Sequence, residues 1–123
     1  MSRFRWWPPT VWAALILVLT SIPASDLAPV GAFAFPGADK LVHLTLYGVL
    51  GALIARALGP ERAWRSLWQI LAGVALFAAA DEWHQRFIPG RSADPRDFAA
   101  DLTGAVVGYA AAIYFLRRRA SQT

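Results

Sequence analysis

The sequence predicts an all-α integral membrane bundle of four transmembrane helices, with both termini in the cytoplasm and residues 1–123 forming a single domain. Composition is the first indication: 57% of the residues are hydrophobic and 16% are charged, whereas soluble domains carry about 25% charged residues. The second indication is four apolar segments near residues 6–22, 39–58, 67–86 and 95–116, each long enough to cross a bilayer at a rise of about 1.5 Å per residue.

The first segment begins with a basic stretch followed by Trp6 and Trp7. Arginines followed by tryptophans are typical of a cytoplasmic flank and an interfacial aromatic belt. Pro8 and Pro9 suit the first turn of a helix, and Pro23 ends it. A secretory signal peptide is the alternative interpretation, but no small-x-small cleavage site directly follows Ile22. A retained membrane helix is therefore favoured.

The remaining segments are separated by turn-forming residues. Residues 24–38 are rich in alanine, proline and glycine and predict a loop that touches the interface through Phe33 and Phe35. Gly59-Pro60 ends the second segment, and a short turn over residues 61–65 leads into the third. The fourth segment opens near Pro95, and residues 120–123 are predicted to fray.

The positions of the positive charges predict the orientation. Eight of the twelve cations flank one side of the predicted spans and four flank the other, and the richer side is cytoplasmic. All of the polar clusters then face the extracytoplasmic side. The cytoplasmic set is Arg3, Arg5, Arg56, Arg62, Arg65, Arg117, Arg118 and Arg119; the other set is Lys40, Arg86, Arg91 and Arg96.

Several classes of protein are disfavoured by the same features. A soluble bundle needs polar residues on about half of each helix, and residues 44–55, 70–80 and 104–116 contain almost none. Cations at span borders fit membrane orientation better than nucleic-acid binding. The absence of cysteine excludes disulfides and thiolate metal sites. Gly104 and Gly108 form a GxxxG pair, which predicts close helix packing within the monomer, with dimerisation as the alternative.

Polar side chains interrupt the ends of three apolar segments. Asp39, His43 and Tyr47 have i, i+4, i+8 spacing and form one stripe on the second helix. Because a carboxylate within a membrane costs about 2.5–3.5 kcal/mol near the helix centre, these groups are expected to face the interior and find partners. The other members of the cluster are Lys40 on the second segment, Asp81, Glu82 and Gln85 on the third, Arg91 and Arg96 beyond it, and Asp97 and Asp101 on the fourth.

Each of these residues also has a structural interpretation. Asp39 and Asp97 lie near helix starts, where carboxylates stabilise the helix dipole. Gln85 and Tyr47 can simply satisfy buried hydrogen bonds. A network maintained only for stability does not need to be this large, so a functional site is the favoured interpretation.

Three sequence blocks carry a resemblance to a known family. They are Asp39-Lys40-x-x-His43-x-x-x-Tyr47-Gly-x-Leu, then Asp81-Glu82-x-His84-Gln85-x-Phe87-x-Pro89-Gly90-Arg91-Ser92, then Asp97-x-x-x-Asp101-x-x-Gly104-x-x-x-Gly108. In this order they resemble the VanZ-like family over roughly residues 39–108. Asp101 departs from the family pattern, which commonly has asparagine there, and adds a charge.

The resemblance implies an envelope-related role in the bacterial cytoplasmic membrane, since the family's namesake is associated with low-level teicoplanin resistance. The first functional hypothesis is binding of a phosphorylated membrane lipid, a lipid-linked cell-envelope precursor or a glycopeptide, without nucleic acid. Its cations would meet phosphate, and its polar groups would hold the cations or bind sugar and amine groups. The predicted ligand-binding residues are Lys40, Tyr47, Glu82, Gln85, Arg91, Asp97 and Asp101.

The second hypothesis is a membrane enzyme acting on a lipid headgroup. His43, Asp39 and Asp81 would be its catalytic residues, with the first two as an acid/base pair and an arginine stabilising negative charge. No HExxH motif or nucleophile elbow is present. No cofactor is expected. A metal-dependent enzyme is an alternative, in which Asp81, Glu82, Asp97 and Asp101 would hold a divalent cation. A transporter is disfavoured because the cytoplasmic halves of the helices are nearly apolar.

Overall fold

A computed structural model describes residues 3–27 and 35–123, and all regular structure in these two ranges is helical. A 3₁₀ turn at Arg3–Trp6 leads directly into the first α-helix. The α-helices are α1 (Trp7–Thr20), α2 (Ala24–Leu27), α3 (Ala38–Leu58), α4 (Pro60–Arg65), α5 (Leu67–Gln85) and α6 (Pro95–Ser121).

The helix ends follow the signals in the sequence. Gly37 and Gly59 flank α3 with φ of 87° and 84°, a left-handed region that glycine adopts at little cost. Pro60 opens α4 immediately after the second glycine. At the start of α6, the Asp94 side chain accepts a hydrogen bond from the Arg96 N–H, and Pro95 takes the first helical position.

The four predicted apolar segments correspond to α1, α3, α5 and α6. Of the described helices, α3 and α6 are long and apolar enough to cross a membrane, and α1 is a shorter apolar helix of 14 residues. The structure differs from prediction in several segments. Ala24–Leu27 is a helical turn rather than loop, and Pro60–Arg65 is a short helix rather than a turn. Helix α6 continues to Ser121 because arginine and alanine favour helix. Phe33 lies outside the described residues.

Among the described helices, α3 and α6 share the most extensive packing. Gly104 lies against the backbone of Leu44, and Gly108 lies against the backbone of Gly48. A Cβ atom at either α6 glycine would overlap a carbonyl oxygen of α3. The GxxxG pair therefore packs within the chain, as predicted, since small residues allow helix backbones to approach closely.

The other helices pack around this pair. In α1, the Trp12 indole N–H donates to the Leu46 carbonyl of α3 at 2.8 Å. Ile16 of α1 and Val74 of α5 contribute to the same buried apolar cluster as Tyr47. At the other end, the Tyr109 hydroxyl donates to the Ala63 carbonyl and joins α6 to α4.

The outer faces of the long helices are apolar and exposed. Only 33% of the most apolar stretch of α3 and 28% of that of α6 is buried within the chain. Large apolar side chains such as Val107, Phe115 and Leu76 point outwards. A soluble helix would carry polar residues on such a face, so the apolar helices indicate a membrane protein.

The two ends of the bundle differ sharply in charge. At one end, an Arg5 guanidinium N–H donates to the Arg56 carbonyl at 3.4 Å, and Arg117 lies 3.3 Å from the Glu61 carboxylate. The chain segments that include Arg5 and Arg117 therefore lie at the same end. The opposite end, where α1 and α5 finish and α3 and α6 begin, carries seven of the eight acidic residues.

Candidate functional site

The predicted polar residues converge at the acidic end of the bundle. Four helix ends and the loop at residues 86–94 bring them together. We call this group the polar cluster: Thr20, Asp39, Lys40, His43, Tyr47, Asp81, Glu82, Gln85, Arg91, Asp94, Asp97 and Asp101. Eight of these residues are buried: Thr20, His43, Tyr47, Asp81, Glu82, Gln85, Asp97 and Asp101.

Lys40 forms the ionic connection between α3 and the start of α6. Its ammonium group lies 2.8 Å from the Asp39 carboxylate and 3.0 Å from that of Asp94, and it also contacts Asp97. An ammonium group has three N–H donors, so three carboxylates account for all of them. Lys40 therefore serves as an internal counter-ion.

His43 lies among three buried carboxylates. Its Nδ1 is 2.7 Å from Asp101 Oδ1, and its Nε2 is 3.7 Å from Asp97 Oδ2. Glu82 Oε1 lies 3.8 Å from Nδ1. The short contact to Asp101 fixes the imidazole orientation, and we assign it as a hydrogen bond from Nδ1–H to the carboxylate, which leaves the lone pair of the neutral ring on Nε2.

Asp81 forms a separate hydrogen-bonded unit. The Thr20 hydroxyl donates to Asp81 Oδ1 at 2.6 Å, and the Tyr47 hydroxyl donates to Oδ2 at 3.1 Å. Both carboxylate oxygens are thus satisfied, and the residue is 1% exposed. This geometry gives Asp81 the role of joining α1, α3 and α5.

Arg91 ties the loop at residues 86–94 to the end of α1. Its Nε donates to the Ile22 carbonyl at 2.9 Å, and its Nη2 donates to the Leu19 carbonyl at 3.3 Å. The Nη1 group donates to the Gln85 side chain at 3.3 Å. Desolvation by burial lowers the pKa of the Arg91 guanidinium below its usual range.

A cavity of about 120 Å³ opens beside His43 and Asp97. Arg91 forms another part of its wall, and Ser92 lines it as an exposed hydroxyl. The remaining lining residues are Asp39, Gln85, Gly90 and Asp94. Five of its eight lining residues belong to the predicted site: Asp39, His43, Gln85, Arg91 and Asp97.

The contacts differ from the predicted pairings in two places. Asp39 lines the cavity but pairs with Lys40, so the nearest carboxylate to His43 is Asp101 rather than Asp39. Arg96 was an expected partner of the buried carboxylates, but its side chain is 85% exposed and contacts only Asp94 within the described residues. A single helix stripe cannot reveal these pairings, because they depend on how α3 meets α6.

The sequence predicts no role for Thr20, and it places Asp94 in the charged group at the start of the fourth segment but not among the catalytic or ligand-binding residues. Thr20 is a hydroxyl residue at the end of an apolar helix, and such a residue commonly bonds to a carbonyl of its own helix. Asp94 reads from the sequence as an ordinary N-cap. Its contact with Lys40 bridges 54 positions of the chain, and no sequence pattern in one chain encodes it.

The polar cluster contains more negative than positive groups. Its six carboxylates face two permanent cations, Lys40 and Arg91, and one histidine. Asp101 Oδ2 is buried without a hydrogen-bond partner in residues 3–27 and 35–123. Burying unpaired carboxylate charge is costly, so the cluster is chemically suited to take up protons or a cation.

Three of the buried side chains could together hold a metal ion. One ligand atom each from His43, Glu82 and Asp97 lies within 4.8 Å of the other two. Imidazole nitrogen and carboxylate oxygen are common metal ligands.

The short contacts of Asp94 lead to a prediction about acid stability. The Arg96 backbone N–H and the Lys40 ammonium lower the pKa of Asp94 from 3.8 to about 2. Because the folded-state pKa is the lower one, this stabilisation is present above about pH 4 and is lost as the pH falls towards 2. Thermal melts followed by circular dichroism should show a steeper loss of Tm over that window for the wild type than for Asp94→Asn, which keeps a capping oxygen but does not titrate.

Asp26→Asn is the matched control for this measurement. Asp26 is exposed, and its side chain has no ion pair in the described part of the chain. We expect its Tm profile to parallel that of the wild type. Parallel profiles for wild type and Asp94→Asn would contradict the assigned role of Asp94.

Exposed apolar helices with an acidic, histidine-containing cluster at one end define a small helical membrane protein with a polar site at the bundle end. The comparison with protein families makes this specific: the VanZ/LLP1 family matches residues 3–117, and the chain belongs to that family. The resemblance predicted from the three sequence blocks is thereby confirmed. No curated protein and no solved structure gives a significant match.

Proposed function

We propose that this chain is a single-domain, four-span protein of the bacterial cytoplasmic membrane, with both termini in the cytoplasm and the polar cluster on the extracytoplasmic face. The spans are α1, α3, α5 and α6. Eight of the twelve cations belong to the end opposite the polar cluster, and the positive-inside rule supports placing that end in the cytoplasm.

The depth of the polar cluster suits a ligand at the membrane surface. Trp83 and Phe87 are exposed at the end of α5, and Leu41 is exposed on the first turn of α3. Aromatic side chains at span ends favour the headgroup region. The cavity beside His43 therefore lies at the level where lipid headgroups are found.

We infer that the ligand is the headgroup of a phosphorylated lipid or of a lipid-linked cell-envelope precursor. The observation that carries this inference is the position of Arg91 in the wall of a polar cavity beside an apolar outer surface. Three of its five N–H groups donate to the protein. The other two have no partner among the described residues and are suited to a phosphate.

Cavity size limits what can enter. A volume of about 120 Å³ holds roughly four waters at about 30 Å³ each, which suits one small ionic group rather than a whole glycopeptide. A change in teicoplanin susceptibility would then arise through the lipid or envelope precursor, and not through enclosure of the antibiotic.

A polyprenyl phosphate with a short chain tests this proposal. We expect the purified full-length protein in detergent to bind it more tightly than the matching polyprenol or inorganic phosphate, as measured by tryptophan fluorescence. Arg91→Gln should weaken binding by about tenfold or more, because a hydrogen bond to a charged group contributes about 1.5–3 kcal/mol.

Arg86→Gln is the control, since Arg86 is an exposed arginine nearby in the chain that does not line the cavity. It should bind like the wild type. Circular dichroism melts establish that Arg91→Gln is folded, which matters because Arg91 also bonds to α1. Equal binding of phosphate and alcohol, or equal losses in both arginine variants, would argue against the headgroup site.

A membrane enzyme is the second candidate, favoured by the His43 imidazole between the Asp101 and Asp97 carboxylates. Such an arrangement can accept and return a proton. Prolonged incubation with the polyprenyl phosphate separates the two functions: an enzyme releases product, whereas a binding protein returns the lipid unchanged.

A further inference from the structure

The orientation of His43 leaves one ring nitrogen available to a ligand. Asp101 Oδ1 accepts from Nδ1 at 2.7 Å. Nε2 is directed towards Asp97, with 3.7 Å between it and Oδ2. A histidine that binds a metal commonly donates its other N–H to a carboxylate, which fixes the ring and raises its basicity.

The ligand atoms are already close to the separations that a metal needs. One ligand atom from each of His43, Glu82 and Asp97, with either ring nitrogen counted for the histidine, lies within 4.8 Å of the other two. Bonds of about 2.0–2.2 Å at tetrahedral angles place the ligand atoms of a shared ion roughly 3.3–3.6 Å apart. Side-chain movements of up to roughly 1 Å would therefore complete the coordination.

Two observations beyond the cluster geometry also point to a cation. Asp101 is 0% exposed, and its Oδ2 lacks a donor within the described part of the chain. The Lys40 ammonium is already surrounded by three carboxylates, so it has no further donor to neutralise Glu82 or Asp101. A divalent ion at His43 would supply the missing positive charge.

We propose that His43 Nε2, Glu82 and Asp97 bind one divalent transition-metal ion of the Zn²⁺ type, with Asp101 as the carboxylate that orients His43. The imidazole ligand favours Zn²⁺ over Mg²⁺ and Ca²⁺, which prefer all-oxygen coordination. The adjoining cavity is lined by His43 and Asp97 and leaves space for water or a ligand oxygen on the ion. Asp81 is not in this set, because within the described residues the ligand atoms that lie within 4.8 Å of one another belong to His43, Glu82 and Asp97.

Metal analysis of the purified chain tests the site directly. The full-length protein in lipid-free detergent is incubated with Zn²⁺, freed of excess ion and analysed for zinc by mass spectrometry. We expect about one ion per chain and a Tm that rises with Zn²⁺ concentration, because a ligand that binds only the folded state stabilises it. Mg²⁺ at the same concentration should not raise the Tm.

The chain offers matched controls for two of the ligands. His43→Asn should lose the ion, whereas His84→Asn should retain it, since His84 is exposed on α5. Glu82→Gln should lose the ion, whereas Glu61→Gln should retain it, because the Glu61 side chain is 71% exposed at the other end of the molecule. Asp101→Asn should weaken zinc affinity by about 10–100-fold while the three ligands stay in place.

The Tm distinguishes lost binding from lost folding. A ligand variant that melts cooperatively but shows no zinc-dependent rise supports the site. A wild type without bound zinc, or His43→Asn and Glu82→Gln variants that both keep a full equivalent, would overturn it. The result does not depend on the lipid proposal, because no lipid is present. If the protein binds zinc but not polyprenyl phosphate, the metal site is supported and the headgroup site is not.

Discussion

Replacing Lys40 with methionine should destabilise the protein by about 3 kcal/mol or more. The substitution leaves Asp39, Asp94 and Asp97 without their shared ammonium partner. Asp97 is 6% exposed and cannot recover its lost interaction from solvent. Removing one member of a buried ion pair typically costs about 3–5 kcal/mol, because the remaining charge stays buried. Unfolding in detergent by titration with a denaturing surfactant measures the change.

Arg96→Met provides the comparison for Lys40→Met. Arg96 also pairs with Asp94, at 3.4 Å, but its side chain is 85% exposed. Exposed ion pairs contribute roughly 0–1 kcal/mol, so this variant should unfold almost like the wild type. Similar unfolding curves for the two variants would mean that Lys40 is not an internal counter-ion. Lys40 and Arg96 would then both be candidates for binding a ligand.

The long helices were predictable because their signals are local. Apolar stretches of sufficient length, closed by Gly59-Pro60 and opened by Pro95, are visible in the sequence and mark α3 and α6. Helix α6 extends to Ser121, beyond the predicted end at residue 116, because a run of arginines at a span border also continues a helix well. A run of arginines after an apolar segment therefore does not by itself mark the end of the helix.

The candidate site was predictable as a set of residues but not as a set of pairs. The i, i+4 spacing of Asp39 and His43 correctly places both on one side of α3. It does not specify that Lys40 reaches across to Asp97, or that Asp101 reaches back to His43. These contacts depend on the distance and register between α3 and α6, which small residues along both helices determine jointly.

That register leads to the second large expected effect, at Gly108. Gly108→Ala places a methyl group against the Gly48 carbonyl of α3, where backbone atoms leave no space. Helix α3 cannot avoid it by a rotamer change, so α3 and α6 must separate. Overpacking of this kind costs about 1–3 kcal/mol and occasionally more, and we expect the upper end because the obstacle is backbone. The measurements are the free energy of unfolding in detergent and the yield of folded protein.

Gly73→Ala is the control because a Cβ at Gly73 on α5 meets no atom within 4 Å. Alanine has a more favourable helix propensity than glycine by about 1 kcal/mol, so this variant should be as stable as the wild type or slightly more so.

The separation of α3 and α6 caused by Gly108→Ala should also reach the polar cluster, because Gly104 lies one turn from Asp101 on the same α6 face. Gly108→Ala should therefore lower zinc affinity without altering any ligand. If Gly108→Ala is as stable as Gly73→Ala, α3 and α6 do not pack as closely as the contact between Gly108 and Gly48 requires. The contact between His43 on α3 and Asp101 on α6 would then be contradicted as well.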